Sequence, residues 1–410
     1  MFSKDFFNFL NLMKRPKSRV YLDHASRTPI DRDVLKILNQ AHVDFPGTPG
    51  ALYKEALESA EQIGKARAKI SKVIESRSDE IVFTSGGTES DNLAILGVLE
   101  KIKDSGLDYR PHILISSIEH SAVFNFENKK IDVDIEVIPV TSDGILDLEI
   151  FSKLLRKETV LVSVMYANNE IGTIQPIKEI AKIIRKFKKD LSRDSESSYP
   201  LLHTDAVQAL NYCDLNVQKM GVDIMSISGG KIYGPYGIGA LYIKSGTPIK
   251  NIFEGGSQEF GLRPGTPNTP NIVAFAYAAE KAHIIREKEL QRLSVLQKYL
   301  IQSLNNIWPE VIINGSLEKR LVNNIHFSVS DFSSELLVIE LDREGIAVSS
   351  KSACKTDEEE VSHVMKALGN RKNKTGDIRV TLGRSTTKRE LQKLIKALRK
   401  IRIKYKLDKK

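Results

Sequence analysis

Apolar runs of strand length alternate with amphipathic stretches of helix length along the first two thirds of this chain. Ile81-Val82-Phe83-Thr84, Ile113-Leu114-Ile115-Ser116, Ile135-Glu136-Val137-Ile138, Val160 to Met165, Leu201-Leu202-His203-Thr204-Asp205 and Gly239 to Ile243 read as strands. Between them, Ala56 to Glu75 repeats Leu57, Ala60, Ile63, Ala66, Ile70 and Ile74 at helical spacing. A helix starts near Thr88, and another covers Ile177 to Lys188. Strands that are apolar on both faces must be covered by helices on both sides, which predicts an α/β layer with a mainly parallel sheet. From Pro270 to about Leu304 the pattern is one long helix, a connector. Strands near Ile325-His326-Phe327, Ile346-Ala347-Val348 and Ile378-Arg379-Val380, with helices between and after them, predict a second, smaller α+β domain. The expected organisation is an extension over 1–19, a large domain over 20–270 with its first residues available to pack on the small one, and the connector and small domain over 271–410.

With 410 residues, 41% of them hydrophobic, the chain can bury two cores. Its formal charge is +9, but the nine Lys/Arg between Leu391 and Lys410, against Asp408 alone, hold +8 of it. The body is near neutral, which argues against a general nucleic-acid-binding surface. The tail suits either a solvated helix face or contact with an acidic partner, and Leu391, Leu394, Ile395 and Leu398 form the stripe by which it would dock. Two cysteines, Cys213 and Cys354, can make neither a disulfide framework nor a Cys-rich zinc site, so no metal is expected and a reducing, cytoplasmic setting follows. Phe2, Phe6, Phe7 and Phe9 are interrupted by Asp5 and Asn8, which excludes a signal peptide and suggests a docking helix or a membrane-surface anchor. No stretch is apolar enough to span a bilayer. Ser192 to Tyr199 reads as an exposed loop.

Four features point to chemistry. Ser228-Gly229-Gly230-Lys231 follows the apolar run Val222 to Ile227, so a buried strand delivers an amine to a tight turn, where it can form a Schiff base with an aldehyde cofactor. Thr84-Ser85-Gly86-Gly87-Thr88-Glu89-Ser90 places glycines at a strand-to-helix turn, a phosphate cradle without a Walker lysine; the same hydroxyls suit simple helix capping. Asp205 ends a strand, where it can hold a pyridinium nitrogen protonated or cap the next segment. His120 follows another strand, where its ring can stack on an aromatic cofactor and shuttle protons. A P-loop is excluded by Met225 and Ile232, and no dinucleotide fingerprint, HExxH or GxSxG occurs.

Taken in order, these motifs resemble those of the cysteine desulfurases, pyridoxal-phosphate enzymes of the class V aminotransferase family. Tyr21-Leu22-Asp23-His24-Ala25, Thr84 to Asn92, Glu119-His120, Asn168 to Gly172, His203 to Gln208, Ser228 to Pro235, Arg263-Pro264-Gly265-Thr266, Ser349 to Cys354 and Ile378 to Arg384 carry the likeness. It implies the type I fold of pyridoxal-phosphate-dependent transferases and a homodimer. It also implies release of sulfur from L-cysteine, leaving alanine, with transfer to an iron–sulfur scaffold or a tRNA-thiolation protein. By the same resemblance Lys231 binds the cofactor covalently and moves the α-proton, Asp205 meets the ring nitrogen, His120 stacks on the ring and Gln208 contacts its hydroxyl. Gly87, Thr88 and Ser228 hold the phosphate, joined by Thr266 of the other subunit. Asn169 and Arg379 grip the substrate carboxylate, and Cys354 takes the sulfur as a persulfide.

Several positions depart from the family pattern: Gly230 stands where histidine is usual, Arg27 where small residues are, Phe260 in place of arginine and Lys351 in place of glycine. Lys351 and Lys355 favour a Cys354 thiolate and Asp357 to Glu360 oppose it, in a stretch that reads as a mobile surface loop; Cys213 reads as structural. A selenocysteine lyase or another class V enzyme is the alternative chemistry. An interaction scaffold with weak cofactor binding is the non-enzymatic one.

Overall fold

A 39-residue helix ties the molecule together in the computed structural model, which describes residues 19–104, 109–128, 132–191, 199–330, 332–350, 362–369 and 375–405. The readings for the N-terminal extension, most of the Ser192–Tyr199 loop, the Cys354 segment and the last five lysine-rich residues lie outside these. In chain order the elements are β1 (Val20–Tyr21), α1 (Arg32–Asp44), α2 (Lys54–Ile74), β2 (Ile81–Thr84), α3 (Gly87–Lys103) and β3 (His112–Ser116). There follow α4 (Ser121–Phe124), β4 (Asp134–Ile138), α5 (Leu148–Leu154), β5 (Thr159–Ser163), α6 (Ile177–Leu191), β6 (Leu201–Asp205), α7 (Val217–Met220), β7 (Ile224–Ser228) and β8 (Gly239–Ile243). The chain continues with α8 (Thr269–Ile307), β9 (Ile312–Ile313), β10 (Asn324–Ser330), α9 (Ser334–Arg343), β11 (Ile346–Ala347), α10 (His363–Ala367), β12 (Thr375–Thr381) and α11 (Lys388–Lys404).

The main sheet has seven strands in the order β2-β8-β7-β6-β5-β3-β4. β4, β3, β5, β6 and β7 run parallel, and β8 is antiparallel to both its neighbours. Its central strands are buried along their length, as strands covered on both faces must be. This is the expected α/β fold with a mainly parallel mixed sheet. The smaller sheet, β12-β10-β9, is antiparallel.

Two larger cores share α8. Ile272, Phe275, Ala278, Ala279 and Ala282 from its first half pack with the main sheet, whereas Leu293, Leu296, Leu300, Leu304 and Ile307 pack with the small one. Asn268 caps the helix through Asn271 N, and a proline stands in its first turn, where no backbone donor is lost. Val20 and Leu22 join the second core because β1 pairs with β11, 326 residues away at Ile346. The apolar stripe of α11 docks there too, but its cations are not all solvated: Lys404 and Lys400 pair with Glu340 and Glu344.

One amphipathic face differs from its sequence reading. The buried side of α2 runs through Ala56, Ser59, Ile63, Ala66, Ile70 and Val73, so Leu57 and Ala60 point outward. Arg67 is buried on that side, where it donates to both Glu259 carboxylate oxygens at 2.8 and 2.7 Å; Glu259 in turn accepts from Phe83 N at 2.8 Å.

Candidate active site

The carboxyl ends of the parallel strands open into a cavity of about 260 Å³. It is lined by Gly87, Thr88, His120, Asn169, Asp205, Gln208, Ser228, Lys231 and Arg379, with Ala25, Ser26, Asp91, Met165 and Val207 completing the wall. Nine of the residues singled out in the sequence therefore meet in one place. Thr266 does not: it is exposed on its own turn and does not line this cavity. Cys354 lies outside the described residues.

Each lining group is set by a local device. β7 ends at Ser228 and leads into the single 3₁₀ turn Gly229–Lys231. A Cβ at Gly229 would come within 2.7 Å of Pro235 O, so only glycine lets this turn form. The Lys231 amine donates to the Ser26 carbonyl, and its backbone oxygen accepts from Asn211 Nδ2 at 2.7 Å. At the start of α3, Gly86 takes φ +151°, and a Cβ on Gly87 would meet Val207 at 2.7 Å. No side chain caps this helix. Ser90 bonds Thr84 Oγ1 at 2.8 Å, and Glu89 reaches back to Ser85 N at 2.8 Å. The first-turn amides and the positive end of the helix are thus not capped by a side chain, an arrangement that suits an anion. Arg263 donates to Glu89 at 2.9 Å and pins that carboxylate.

Asp205 sits at the end of β6, 5% exposed, and accepts from Val207 N at 2.8 Å. Burial pushes its carboxyl up, while His120, the Val207 amide and Lys231 pull it down. Asp91 stands on α3, within the Thr84 to Asn92 motif. It is buried against the same cavity with one carboxylate oxygen unpartnered, and burial followed by the charge of Asp205 raises it well above the usual range. His203 lies 3.6 Å from Asp91 and bonds Ser163 and Ser226 at 2.8 and 3.1 Å; burial lowers it to about 3, so it is a neutral cross-strand tie. His120 Nδ1 accepts from Ala122 N at 3.2 Å, which fixes the orientation of the ring.

The far side is built by the small sheet. Arg379, on β12, is 2% exposed and donates to Asn169 O at 2.9 Å, to Asp23 at 2.8 Å and to Ser26 Oγ, yet its Nε has no partner. A buried guanidinium with an orphaned donor suits a carboxylate ligand. Its ion-pair partner Asp23 stands within the Tyr21–Ala25 motif. Gln208 donates to Ala25 O at 2.9 Å and so fixes its side-chain carbonyl.

The donor set fits pyridoxal phosphate: an amine, an uncapped helix start for an anion, a buried carboxylate and an imidazole share one cavity. A sequence model of the family described as aminotransferase class-V matches residues 20–394. The cysteine desulfurase IscS of Dictyoglomus turgidum is 40% identical over 388 residues, 94% of this chain and 95% of that one. Among solved structures, a NifS-like protein superposes with TM-score 0.84 at 32% identity, covering 94% of this chain and 99% of its own. A structure described as SspA in complex with cysteine superposes with TM-score 0.73 at 29% identity, covering 89% and 99%.

Proposed function

The chain belongs to the class V aminotransferase family as a cysteine desulfurase, and from that premise we propose that pyridoxal phosphate binds in the cavity on Lys231 and that L-cysteine is the substrate. The observation that carries this is the convergence of Lys231, Asp205, His120 and Arg379 on a single cavity. The cofactor, when bound, supplies an electron sink for the bonds broken at the substrate's carbons.

The protein's own groups supply the rest. Gly87, Thr88 and Ser228 hold the phosphate with the free amides of α3. Asp205 keeps the ring nitrogen protonated, and His120 stacks on the ring. Arg379 and Asn169 orient the substrate carboxylate. Lys231 moves the proton at the substrate Cα. The Cys354 thiolate forms an S–S bond as the substrate Cβ–Sγ bond breaks; the electron pair of that bond stays with the carbon, which takes a proton to become alanine. The persulfide then passes its sulfur to an acceptor, an iron–sulfur scaffold or a tRNA-thiolation protein. In this reading 20–270 binds the cofactor, 271–410 forms the connector and small domain, and the enzyme works in the cytoplasm. Among the described residues no helix is long and apolar enough to cross a membrane. Alanine and sulfide should form from L-cysteine in equal amounts under a reductant, with selenocysteine assayed in parallel. Processing of selenocysteine alone would transfer the assignment to a lyase.

The working unit in this proposal is a homodimer in which Thr266 reaches the neighbour's phosphate. Its exposure away from its own cavity supports that reading, as does an apolar surface at the α1–α2 turn, where Val43, Leu52, Tyr53 and Leu57 are 75, 91, 51 and 56% exposed. Wild-type protein should sediment as a dimer, and Leu52→Asp with Leu57→Asp should shift it toward monomer. An active wild-type monomer would refute the shared site.

A further inference from the structure

Two buried carboxyls line the same cavity. Asp205 ends β6, and Asp91 comes from α3, which packs across β6 and β7. They are 5% and 1% exposed. After burial itself, the charge of Asp205 is the largest influence on Asp91. Ser226, which stands opposite Asp205 in the β6–β7 ladder, also acts on Asp91. Two carboxyls that feel each other in a buried wall do not both stay ionised, so the pair keeps a proton.

The surroundings decide which residue holds it. Asp205 accepts from Val207 N at 2.8 Å. Burial disfavours its anion, but His120, that amide and Lys231 all favour it. Asp91 lacks such support. Among the described residues no backbone amide donates to it, its Oδ1 is an orphan, and only the Ser226 hydroxyl favours its anion. His203 stands 3.6 Å from that oxygen, but its ring is neutral and tied to Ser163 and Ser226. Glu119, the third acid acting here, opposes an Asp91 anion further. It is occupied by Ser116 Oγ and Met165 N, and burial pushes it up to about 8. A buried carboxyl with so few donors is a neutral acid, and a neutral acid carries a donor of its own.

We propose that Asp91 is a positioning residue that holds the proton of this pair, donates it as a hydrogen bond to Asp205 and so keeps Asp205 an anion facing the cavity. The placement of the proton stands on the protein alone. Its consequence, a dependable counter-ion for the cofactor's ring nitrogen, rests on pyridoxal phosphate being the cofactor.

Infrared difference spectra of the apoprotein, wild type minus Asp91→Asn, test the proton. At neutral pH the wild type should show the carbonyl band of a protonated carboxyl that the variant lacks; Glu119 is present in both and cancels. Loss of a carboxylate band instead would overturn the proposal. Titration of the apoproteins with pyridoxal 5′-phosphate, followed by absorbance, tests the consequence. Asparagine keeps the shape and an uncharged donor, so Asp91→Asn should bind as the wild type does. Asp91→Leu has similar bulk but no donor and should bind roughly tenfold more weakly or worse. Asp91→Leu binding like the wild type, or Asp91→Asn weakened as much as Asp91→Leu, would also overturn the proposal. A wild-type protein that takes up no pyridoxal phosphate would instead overturn the cofactor reading, and the infrared result would still decide where the proton sits.

Discussion

Lys231→Ala should give a colourless protein that no longer turns over L-cysteine. Two losses coincide at this residue. The covalent anchor of the cofactor disappears, and so does the amine that moves the proton at the substrate Cα. General acid–base groups alone contribute roughly 10²–10⁴-fold, so a total fall of at least about 10⁴ is expected. The fold should survive, because the turn is held by its backbone: Gly229 packs under Pro235, and Asn211 bonds the Lys231 carbonyl rather than its amine. Borohydride reduction of the wild type followed by peptide mapping should place the pyridoxyl group on Lys231. A label on another lysine, or a coloured Lys231→Ala with turnover within tenfold of wild type, would remove the central assignment.

Much of this site could be read before any coordinates because its parts stand at element ends, where sequence patterns change. The strands Ile81–Thr84, Leu201–Asp205 and Gly239–Ile243 match their expected limits to the residue, since Glu80 precedes the first, Pro200 precedes and Asp205 ends the second, and the third opens on a glycine and stops before Lys244. The connector expected over Pro270 to about Leu304 runs Thr269–Ile307. Strand direction was not legible. A strand buried on both faces looks the same whichever way it runs, so nothing in Gly239–Ile243 marks β8 as the antiparallel member. Long-range partners were equally hidden. Asp23 and Arg379 are 356 residues apart, and their ion pair forms because the chain after β1 bridges β12 at Thr381. Asp91 illustrates a third limit. Its position on α3 made it one more polar residue in a capping region, and only the packing of α3 across the strands turns it toward Asp205 with an unsatisfied oxygen.

Cys354→Ser should keep the cofactor's colour and still bind L-cysteine, yet lose persulfide formation and nearly all sulfide release, a fall of at least about 10³. Ser349 exchanges both backbone hydrogen bonds with Arg379, at 2.7 and 3.3 Å, so the chain leaves for Cys354 from beside the proposed carboxylate clamp. On return, Ser362 bonds Glu170 at 2.6 Å and His363 Nε2 meets the Glu119 carbonyl, next to His120, at 2.9 Å. The other cysteine cannot substitute. Cys213 is 8% exposed in the main core, and burial pushes its thiol up to about 12, so thiolate is scarce there at neutral pH. Cys213→Ser should therefore leave turnover within about twofold if the fold is kept. Selenocysteine should still be processed by Cys354→Ser, because selenium leaves without needing a thiolate acceptor. Turnover of L-cysteine at the wild-type rate by Cys354→Ser would mean that the sulfur leaves by another route, even with the fold and the cofactor assigned correctly.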